Sequence, residues 1–318
     1  MTETMIQMSG VSKRFGAIAA LDGIDLKVQR GEVVGFLGPN GAGKTTTMRI
    51  LSGLLAPSEG SIAVAGVDIL ENPVEARAKI GFLPENPPIY GEMTVREYLN
   101  YLATLRRVPR AKLAAAVDRA MERCGLTSVT DRLLRNLSKG YRQRAGIAQA
   151  IVHGPDVVVL DEPTVGLDPI QIREIRALIR ELGGEHSVLL SSHILPEVRM
   201  TCQRVAVIHR GRIVADDTLD ALENRAHGKS IHFARWKNPP SPDVLRAIPG
   251  VADIHPRDDG WMIGAVPESD PVPELVRLSV VSGWDLRELT PAGGSLEEIF
   301  LQLTTREERP EEGEEAAA

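Results

Sequence analysis

Short runs rich in apolar residues alternate with amphipathic segments along the first two thirds of the chain. Strands are predicted at four of these runs, residues 32–37, 157–160, 187–190 and 204–209. Such runs, when bounded by turn residues, are typical of parallel strands that are buried on both faces of a sheet. Segments such as IQIREIRALIREL place apolar residues three and four positions apart, which indicates amphipathic helices. The pattern therefore predicts an α/β fold.

Shorter apolar runs indicate a second group of strands. They are predicted at residues 5–8, 24–28 and 61–65, before and after the strand at residues 32–37. We interpret them as an antiparallel β subdomain of the same domain.

A helical subdomain is predicted at about residues 84–150. It begins with a proline-rich loop, and two amphipathic helices follow at residues 95–107 and 110–124. Thr94 and Glu97 form the capping-box pattern that marks the start of a helix. These features predict a helical insertion within the α/β domain.

A second unit is predicted to begin near residue 228. Its strand and helix patterns follow the order β-α-β-β-α-β, which is the order of a ferredoxin-like sandwich, and another helix is predicted at residues 296–303. The predicted organisation is a main domain at residues 1–227, a small α+β domain at residues 228–305 and an acidic disordered tail at residues 306–318. Because the small domain holds no cluster of catalytic residue types, we interpret it as a regulatory or dimer-stabilising appendage.

The charge of the chain argues against one class of partner. The net charge is -6, and six Glu and two Arg in the tail account for -4 of it. The folded part is therefore nearly neutral, without the basic footprint of a nucleic-acid-binding protein, and no nucleic-acid partner is expected. Cys124 and Cys202 are isolated, which predicts packing roles in a reducing compartment. Since no apolar run of about 18 residues and no signal segment occurs, the chain is expected to be cytoplasmic.

The segment GPNGAGKTT lies between a predicted strand and a predicted helix. Its residues are Gly38, Pro39, Asn40, Gly41, Ala42, Gly43, Lys44, Thr45 and Thr46. The glycines allow consecutive N–H groups to converge on phosphate oxygens, and the helix N-terminus adds its positive dipole end. Lys44 can reach the β- and γ-phosphates, and the Thr45 hydroxyl can bind Mg²⁺. The alternative is a glycine-rich turn without a ligand, but the strand, loop and helix context favours a site for a nucleoside triphosphate.

Two consecutive acids, Asp161 and Glu162, follow the apolar run at residues 157–160. In α/β sheets, ligands bind at the carboxyl ends of the strands. Adjacent side chains of an extended segment point to opposite faces, so the two acids need different roles. Asp161 suits Mg²⁺, directly or through water, and Glu162 suits an attacking water. The alternative is a capped strand end without chemistry.

Three other features admit two interpretations each. Ser138 and Gly140 open a predicted helix, where they form either a second anion site or a plain helix cap. His193 follows the strand at residues 187–190 and can reach a γ-phosphate, although a single His is usually structural. Phe15 stands among polar and small residues, where it either stacks on a purine ring or ends a strand as a core residue.

In this order, the motifs resemble those of the ATP-binding subunit of an ABC transporter. The resemblance covers about residues 5–220 and rests on the phosphate loop, Leu137-Ser138-Lys139-Gly140, the acidic strand end, Asp168 and His193. It implies a P-loop ABC ATPase fold in which Phe15 stacks on adenine, Asp168 lies in the loop that joins two subunits and His193 is the switch histidine. It also implies a dimer, in which the signature segment of each subunit, at Ser138 and Gly140, caps the ATP held by its partner.

The sequence departs from the usual family pattern at two places. The signature segment is LSKGYRQR rather than LSGGQ, so Lys139 adds a positive charge and Tyr141 replaces an amide. Glu85 occupies the position that usually holds Gln, in the loop facing the membrane subunits, and it is a candidate Mg²⁺ ligand with Thr45 and Asp161. Both departures resemble the subgroup of exporters for drugs, lipid-linked polymers and gliding motility.

The resemblance implies an ATPase that powers an export permease. Its expected catalytic residues are Glu162, His193 and Lys44, and it is expected to use ATP and Mg²⁺. A second ATPase subunit, identical or not, and integral membrane permease subunits are the expected partners, and the permease would hold the chain at the inner face of the cell membrane. One alternative is a soluble, non-transport ABC ATPase acting on ribosomes or DNA, although neither a second cassette nor a long coiled coil is present. A P-loop small-molecule kinase, the other alternative, does not account for the signature segment or His193.

Overall fold

The computed structural model of the chain describes residues 3–222, 231–266 and 269–291. The chain divides into two compact units between Asp216 and Asp217. This division comes before the domain boundary predicted at residue 227. The helix predicted at residues 296–303 and the acidic tail predicted at residues 306–318 lie outside the described residues.

The first unit contains two β-sheets with associated helices. Its strands are β1 (Thr4–Phe15), β2 (Ile18–Gln29), β3 (Val33–Leu37), β4 (Glu59–Val64), β5 (Val67–Asp68), β6 (Ile80–Leu83), β7 (Val157–Leu160), β8 (Ser187–Ser192), β9 (Arg204–His209) and β10 (Arg212–Thr218). Its helices include α1 (Lys44–Leu51), α2 (Pro73–Ala78), α3 (Val95–Leu105), α4 (Leu113–Arg123), α5 (Lys139–Ile151), α6 (Pro169–Leu182) and α7 (Leu195–Thr201). The predicted α/β architecture is confirmed.

The larger sheet has the strand order β10-β9-β3-β8-β7-β6. Strand β3 is parallel to β8 and β9, and β7 is parallel to β6 and β8. Every residue of β3, β7 and β8 is buried, as expected of central parallel strands covered on both faces. Because these strands share one direction, the segments that follow them meet at the same edge of the sheet.

The smaller sheet of this unit has the order β2-β1-β4-β5, with antiparallel pairing. The strands predicted at residues 5–8 and 24–28 are too short, because β1 and β2 have 12 residues each. Their pairing continues through register shifts as far as Phe15 and Ile18. Irregularities of this kind allow two strands to stay paired where the alternation of apolar residues is interrupted. The apolar pattern of the sequence therefore underestimates the lengths of β1 and β2.

Helices α3, α4 and α5 form the predicted helical insertion. The capping box is present: the Thr94 hydroxyl accepts a hydrogen bond from the Glu97 N–H at 3.3 Å, and the Glu97 carboxylate accepts one from the Thr94 N–H at 2.8 Å. The apolar faces of α3 and α4 are buried, including Leu99 and Val117. Throughout the part of the chain that the structure describes, every helix is too short or too polar to span a bilayer.

Two histidines lie close to strands of the larger sheet, His186 buried and His153 half-buried. His153 Nε2 lies 3.2 Å from the Ile80 carbonyl oxygen, and His186 Nδ1 lies 2.7 Å from the Pro155 carbonyl oxygen. Burial is the main cause that lowers the pKa of both imidazoles, and the pKa of His153 falls to about 4. Both imidazoles therefore bind a proton less readily in the folded chain than in the unfolded chain.

This difference predicts that acid weakens the fold. The free energy of unfolding should be unaffected by His153 above pH 6.5, the pKa of an ordinary imidazole, and should fall as the pH is lowered toward 4. At pH 5 the loss from His153 is about 2 kcal/mol, because one pKa unit corresponds to about 1.4 kcal/mol. Urea unfolding at pH 7 and pH 5 measures it. The variant His153→Gln, which keeps a donor for Ile80, should lose less on acidification, and an equal loss in both proteins would contradict the prediction.

In the second unit, the described strands form one sheet, and two helices lie between them in the chain. They are β11 (Ile231–Trp236), α8 (Pro242–Arg246), β12 (Val251–Arg257), β13 (Gly260–Ala265), α9 (Val272–Val281) and β14 (Leu286–Pro291). The strand order is β12-β13-β11-β14, and each neighbouring pair is antiparallel. The unit has its own buried apolar cluster, which includes Trp236, Ile263 and Leu275. The Trp236 indole N–H donates to Ser279 Oγ at 2.7 Å, so this buried polar group has a partner.

Candidate active site

The sequence motifs converge because three adjacent strands end at one edge of the larger sheet. Strand β8 lies between β3 and β7. The phosphate loop follows β3, the two acids follow β7 and His193 follows β8. Segments more than 100 residues apart in the chain are thereby brought side by side.

The phosphate loop requires glycine at two positions for steric reasons. A Cβ on Gly38 would lie 2.4 Å from the carbonyl oxygen of Ile208, and one on Gly43 would lie 2.6 Å from Cδ2 of Leu21. Gly43 also has a φ of 112°, which favours glycine. It is the N-cap of α1, and no side chain caps this helix start. The first N–H groups of α1 are therefore available to an anion.

Lys44 is buried, and its ammonium group has three oxygen neighbours. Nζ donates to the carbonyl oxygens of Gly38 at 2.8 Å and Pro39 at 3.2 Å. It also lies 3.4 Å from Oε1 of Glu162. The carbonyl contacts hold the ammonium group under the phosphate loop, and the carboxylate contact joins the loop to the acidic strand end.

Glu162 has an unusual backbone conformation. Its φ is 48°, in the left-handed region that a residue with a side chain rarely adopts. Its side chain is buried, and Oε2 lies 3.0 Å from Nδ1 of His193. Lys44 and His193 therefore contact the two oxygens of one carboxylate.

Asp161 is buried beside this cluster. The Ser191 hydroxyl donates to its Oδ1 at 2.6 Å. Burial raises the pKa of Asp161, hydrogen bonds from Ser191 and Thr45 lower it, and the charges of Glu162 and Glu85 raise it again. The negative charges of Glu162 and Glu85 thus disfavour ionisation of Asp161, an effect that a bound cation would offset.

One cavity of about 310 Å³ connects most of the predicted residues. It is lined by Ala20, Asn40, Gly41, Gly43, Lys44, Thr45, Thr46, Glu85, Glu162, Val165 and His193. Among the described residues, no group of three or more His, Cys, Asp or Glu side chains is arranged to hold a metal ion. Mg²⁺ in phosphoryl-transfer sites is usually held by one or two carboxylates together with substrate phosphates, and the oxygen donors around this cavity fit that pattern.

Other predicted residues lie outside the lining of this cavity. Phe15 is 51% exposed at the end of β1, where Lys13 Nζ lies 5.3 Å from its ring centroid. Ser138 caps α5, and its hydroxyl accepts from the Tyr141 N–H at 3.4 Å. Asp168 caps α6 by accepting from the N–H groups of Ile170 and Gln171. Within this chain, Ser138 and Asp168 therefore act as helix caps.

A buried polar network that the sequence did not reveal lies behind the acids. The Thr164 hydroxyl donates to Oε2 of Glu197 at 2.5 Å, and Arg176 Nη2 lies 3.3 Å from Oε1 of the same carboxylate. This network joins the loop after the acids to α6 and α7. Ser191 was also missed, although two consecutive serines at the end of an apolar strand are a visible polar signal.

Comparison with known proteins identifies the family. The family described as "ABC transporter" matches residues 21–165. The bacitracin transport ATP-binding protein BcrA of Bacillus licheniformis is 34% identical over 302 residues, which cover 94% of this chain and 97% of BcrA. The daunorubicin resistance ATP-binding protein DrrA3 of Streptomyces coeruleorubidus is 34% identical over 316 residues, which cover 98% of this chain and 99% of DrrA3.

Solved structures show the same relationship. A structure described as the ATP-binding subunit of an ABC transporter has a TM-score of 0.64 at 30% identity, covering 70% of this chain and 93% of that chain. CbiO1 of Clostridium perfringens, part of the ABC transporter complex CbiONQ, has a TM-score of 0.63 at 27% identity, with 70% and 94% covered. Together with the phosphate loop and the acidic strand end, these relatives confirm the family resemblance. The chain belongs to the ABC transporter family, as an ATP-binding subunit that hydrolyses ATP.

Proposed function

We propose that Glu162, Lys44 and His193 carry the hydrolytic reaction of this subunit. The supporting observation is that Lys44 Nζ and His193 Nδ1 lie 3.4 and 3.0 Å from the two oxygens of Glu162. All three side chains line one cavity with the phosphate loop. A proton acceptor, a cation for the β- and γ-phosphates and an imidazole are thus brought within contact of one another.

Each of these side chains has a distinct role in the proposed reaction. Glu162 accepts a proton from the water that attacks the γ-phosphorus atom. Lys44 exchanges its contacts with Gly38 and Pro39 for phosphate oxygens, and the N–H groups of the loop bind the remaining oxygens. His193 and Lys44 then stabilise the charge that spreads over the γ-phosphoryl group.

Thr45, Asp161 and Glu85 are the proposed Mg²⁺ ligands. Their donors are all oxygen atoms, as Mg²⁺ prefers. Burial and the charges of Glu162 and Glu85 raise the pKa of Asp161, and a cation bound beside these acids would favour their charged forms. When bound, Mg²⁺ would neutralise charge on the phosphate oxygens. Thr45 and Glu85 line the cavity, and Glu162 is left to accept the proton from the attacking water.

We propose that the subunit acts as a dimer, with an identical or a different ATPase subunit. Ser138 and Gly140 at the start of α5 do not line the cavity around Lys44. A γ-phosphate in that cavity therefore needs a second subunit to bring a signature segment to it. Phe15 and Asp168 are exposed, which leaves them available to adenine and to a partner subunit.

The proposed role of ATP hydrolysis is to power an export permease. BcrA is named a transport protein for bacitracin, and DrrA3 is named a resistance protein for daunorubicin. Removal of a toxic compound from the cell accounts for both names. Integral membrane permease subunits are therefore the proposed partners, and they would hold this chain at the cytoplasmic face of the cell membrane.

Purification of the tagged chain from detergent-solubilised membranes tests this proposal. Mass spectrometry is expected to find a membrane protein with several spanning segments in stoichiometric amount. An untagged preparation is the matched control. Recovery with ribosomes or DNA, or only as an isolated soluble protein, would contradict the permease proposal and favour a non-transport ATPase.

We also propose a ferredoxin-like fold for the second unit. Its elements β11, α8, β12, β13, α9 and β14 follow the β-α-β-β-α-β order. The antiparallel order β12-β13-β11-β14 and the common apolar cluster support this assignment.

A further inference from the structure

Ser191 lies between the two consecutive acids of the site. Its side chain is fully buried, with 0% exposed. Oγ donates to Oδ1 of Asp161 at 2.6 Å and accepts from the N–H of Glu162 at 2.9 Å. A hydroxyl has one hydrogen to donate and two lone pairs that accept. This single group can therefore bond to the Asp161 carboxylate and the Glu162 N–H at the same time.

The sheet topology places Ser191 there. Strands β7 and β8 are parallel neighbours, and Leu160 is paired with Leu190. The residues that follow this pair, Asp161 and Ser191, therefore come side by side where the sheet ends. The Asp161 N–H donates to the Leu83 carbonyl oxygen of β6 at 2.8 Å, whereas the next N–H, that of Glu162, bonds to a side chain. The change of partner marks the point where the chain leaves the sheet.

The Glu162 backbone at this point needs support. In a continued strand, Glu162 would point to the face opposite Asp161. Its φ of 48° turns the chain instead, and such a conformation persists only where the surroundings enforce it. The contacts that hold it include the bond to Ser191 and the contacts of the carboxylate with Lys44 and His193. The Glu162 carbonyl oxygen also accepts from the Val165 N–H at 3.3 Å within the turn.

We propose that Ser191 is a positioning residue for ATP hydrolysis, whose hydroxyl holds the metal-binding acid Asp161 and the proton-accepting acid Glu162 in their working arrangement. This inference rests on the roles proposed above for those two acids. Ser191 acts through them and does not line the cavity itself. Its loss leaves Glu162 with a buried N–H that has no hydrogen-bond acceptor, so the turn that presents its carboxylate relaxes.

Three serine variants distinguish the proposed positioning role of Ser191 from a general loss of stability. Ser191→Ala removes the hydroxyl, and Ser191→Thr keeps one. Ser187→Ala is the matched control, because Ser187 lies on the same strand, is 1% exposed and accepts from the Gly31 N–H at 3.0 Å. We expect Ser191→Ala to lower kcat about 10- to 100-fold, as is typical when an outer hydrogen-bond partner of a metal site is removed. Ser191→Thr should recover most of kcat, and Ser187→Ala should keep it.

A second measurement needs neither ATP nor metal. Hydrogen exchange of the Glu162 amide, followed by mass spectrometry without nucleotide or Mg²⁺, should become about tenfold faster in Ser191→Ala, as expected for one lost hydrogen bond. Exchange there should stay slow in the other two variants. Unchanged kcat and exchange in Ser191→Ala, or equal loss of kcat in Ser187→Ala, would overturn the inference. Failure of the role proposed for Glu162 would differ, because Glu162→Gln would then keep near-normal kcat while exchange of the Glu162 amide still became faster in Ser191→Ala.

Discussion

Glu162→Gln is expected to lower kcat for ATP hydrolysis at least about a hundredfold while ATP still binds. An amide has nearly the same shape as the carboxylate and can still accept a hydrogen bond from Lys44, but it cannot take a proton from water. Loss of a general base typically costs about 100- to 10,000-fold in rate. Phosphate release measures kcat, and titration with a fluorescent ATP analogue measures binding.

Glu185→Gln provides a matched control for this change. Glu185 forms an ion pair with Arg123 at 2.7 Å, and its side chain is 67% exposed. Exposed ion pairs contribute little to stability, so kcat should stay at the wild-type value. Near-normal turnover in Glu162→Gln would exclude Glu162 as the proton acceptor.

Lys44→Met is expected to weaken ATP binding about 10- to 100-fold and to abolish measurable hydrolysis. A hydrogen bond to a charged group is worth about 1.5 to 3 kcal/mol, and each 1.4 kcal/mol corresponds to about tenfold in affinity. The methionine keeps most of the apolar stem and removes the ammonium group that contacts Gly38, Pro39 and Glu162. The same fluorescent titration measures the affinity.

The change at Lys44 also leaves Glu162 without its buried cationic neighbour, so a folding defect must be distinguished from lost phosphate contact. The double variant Lys44→Met with Glu162→Gln removes both charges and should regain thermal stability without regaining ATP affinity. Lys27→Met, at an exposed position on β2, should leave binding unchanged. Wild-type affinity in a folded Lys44→Met protein would contradict the proposed role of Lys44.

The phosphate loop was predictable because its information is local. Glycine at positions 38 and 43, followed by Lys44, is a contiguous pattern whose backbone conformation depends on the residues themselves. The structure adds steric reasons from distant residues, since Ile208 and Leu21 occupy the space that a side chain would need. The sequence could indicate glycine at these positions but not the neighbours that exclude a Cβ there.

The contacts within the site depend on strand order. The sequence placed Glu162 and His193 after two different strands, and it did not contain the order β3-β8-β7 that puts His193 3.0 Å from Glu162. Ser191 was missed for the same reason, because its partners are known only once β8 lies beside β7. The lengths of β1 and β2 also depended on pairing, which continued where the apolar pattern stopped.

The sequence by itself determined the local elements of this protein: the phosphate loop, the capping box at Thr94 and Glu97, the buried parallel strands and the two acids at a strand end. These follow from the conformational preferences and hydrophobicity of neighbouring residues. Only the tertiary structure decided which strand ends meet, how Glu162 turns toward Lys44 and His193, and that Ser191 joins the two acids. Those features arise from hydrogen bonds and packing between segments far apart in the chain. A pattern of neighbouring residues does not show which distant segments come into contact.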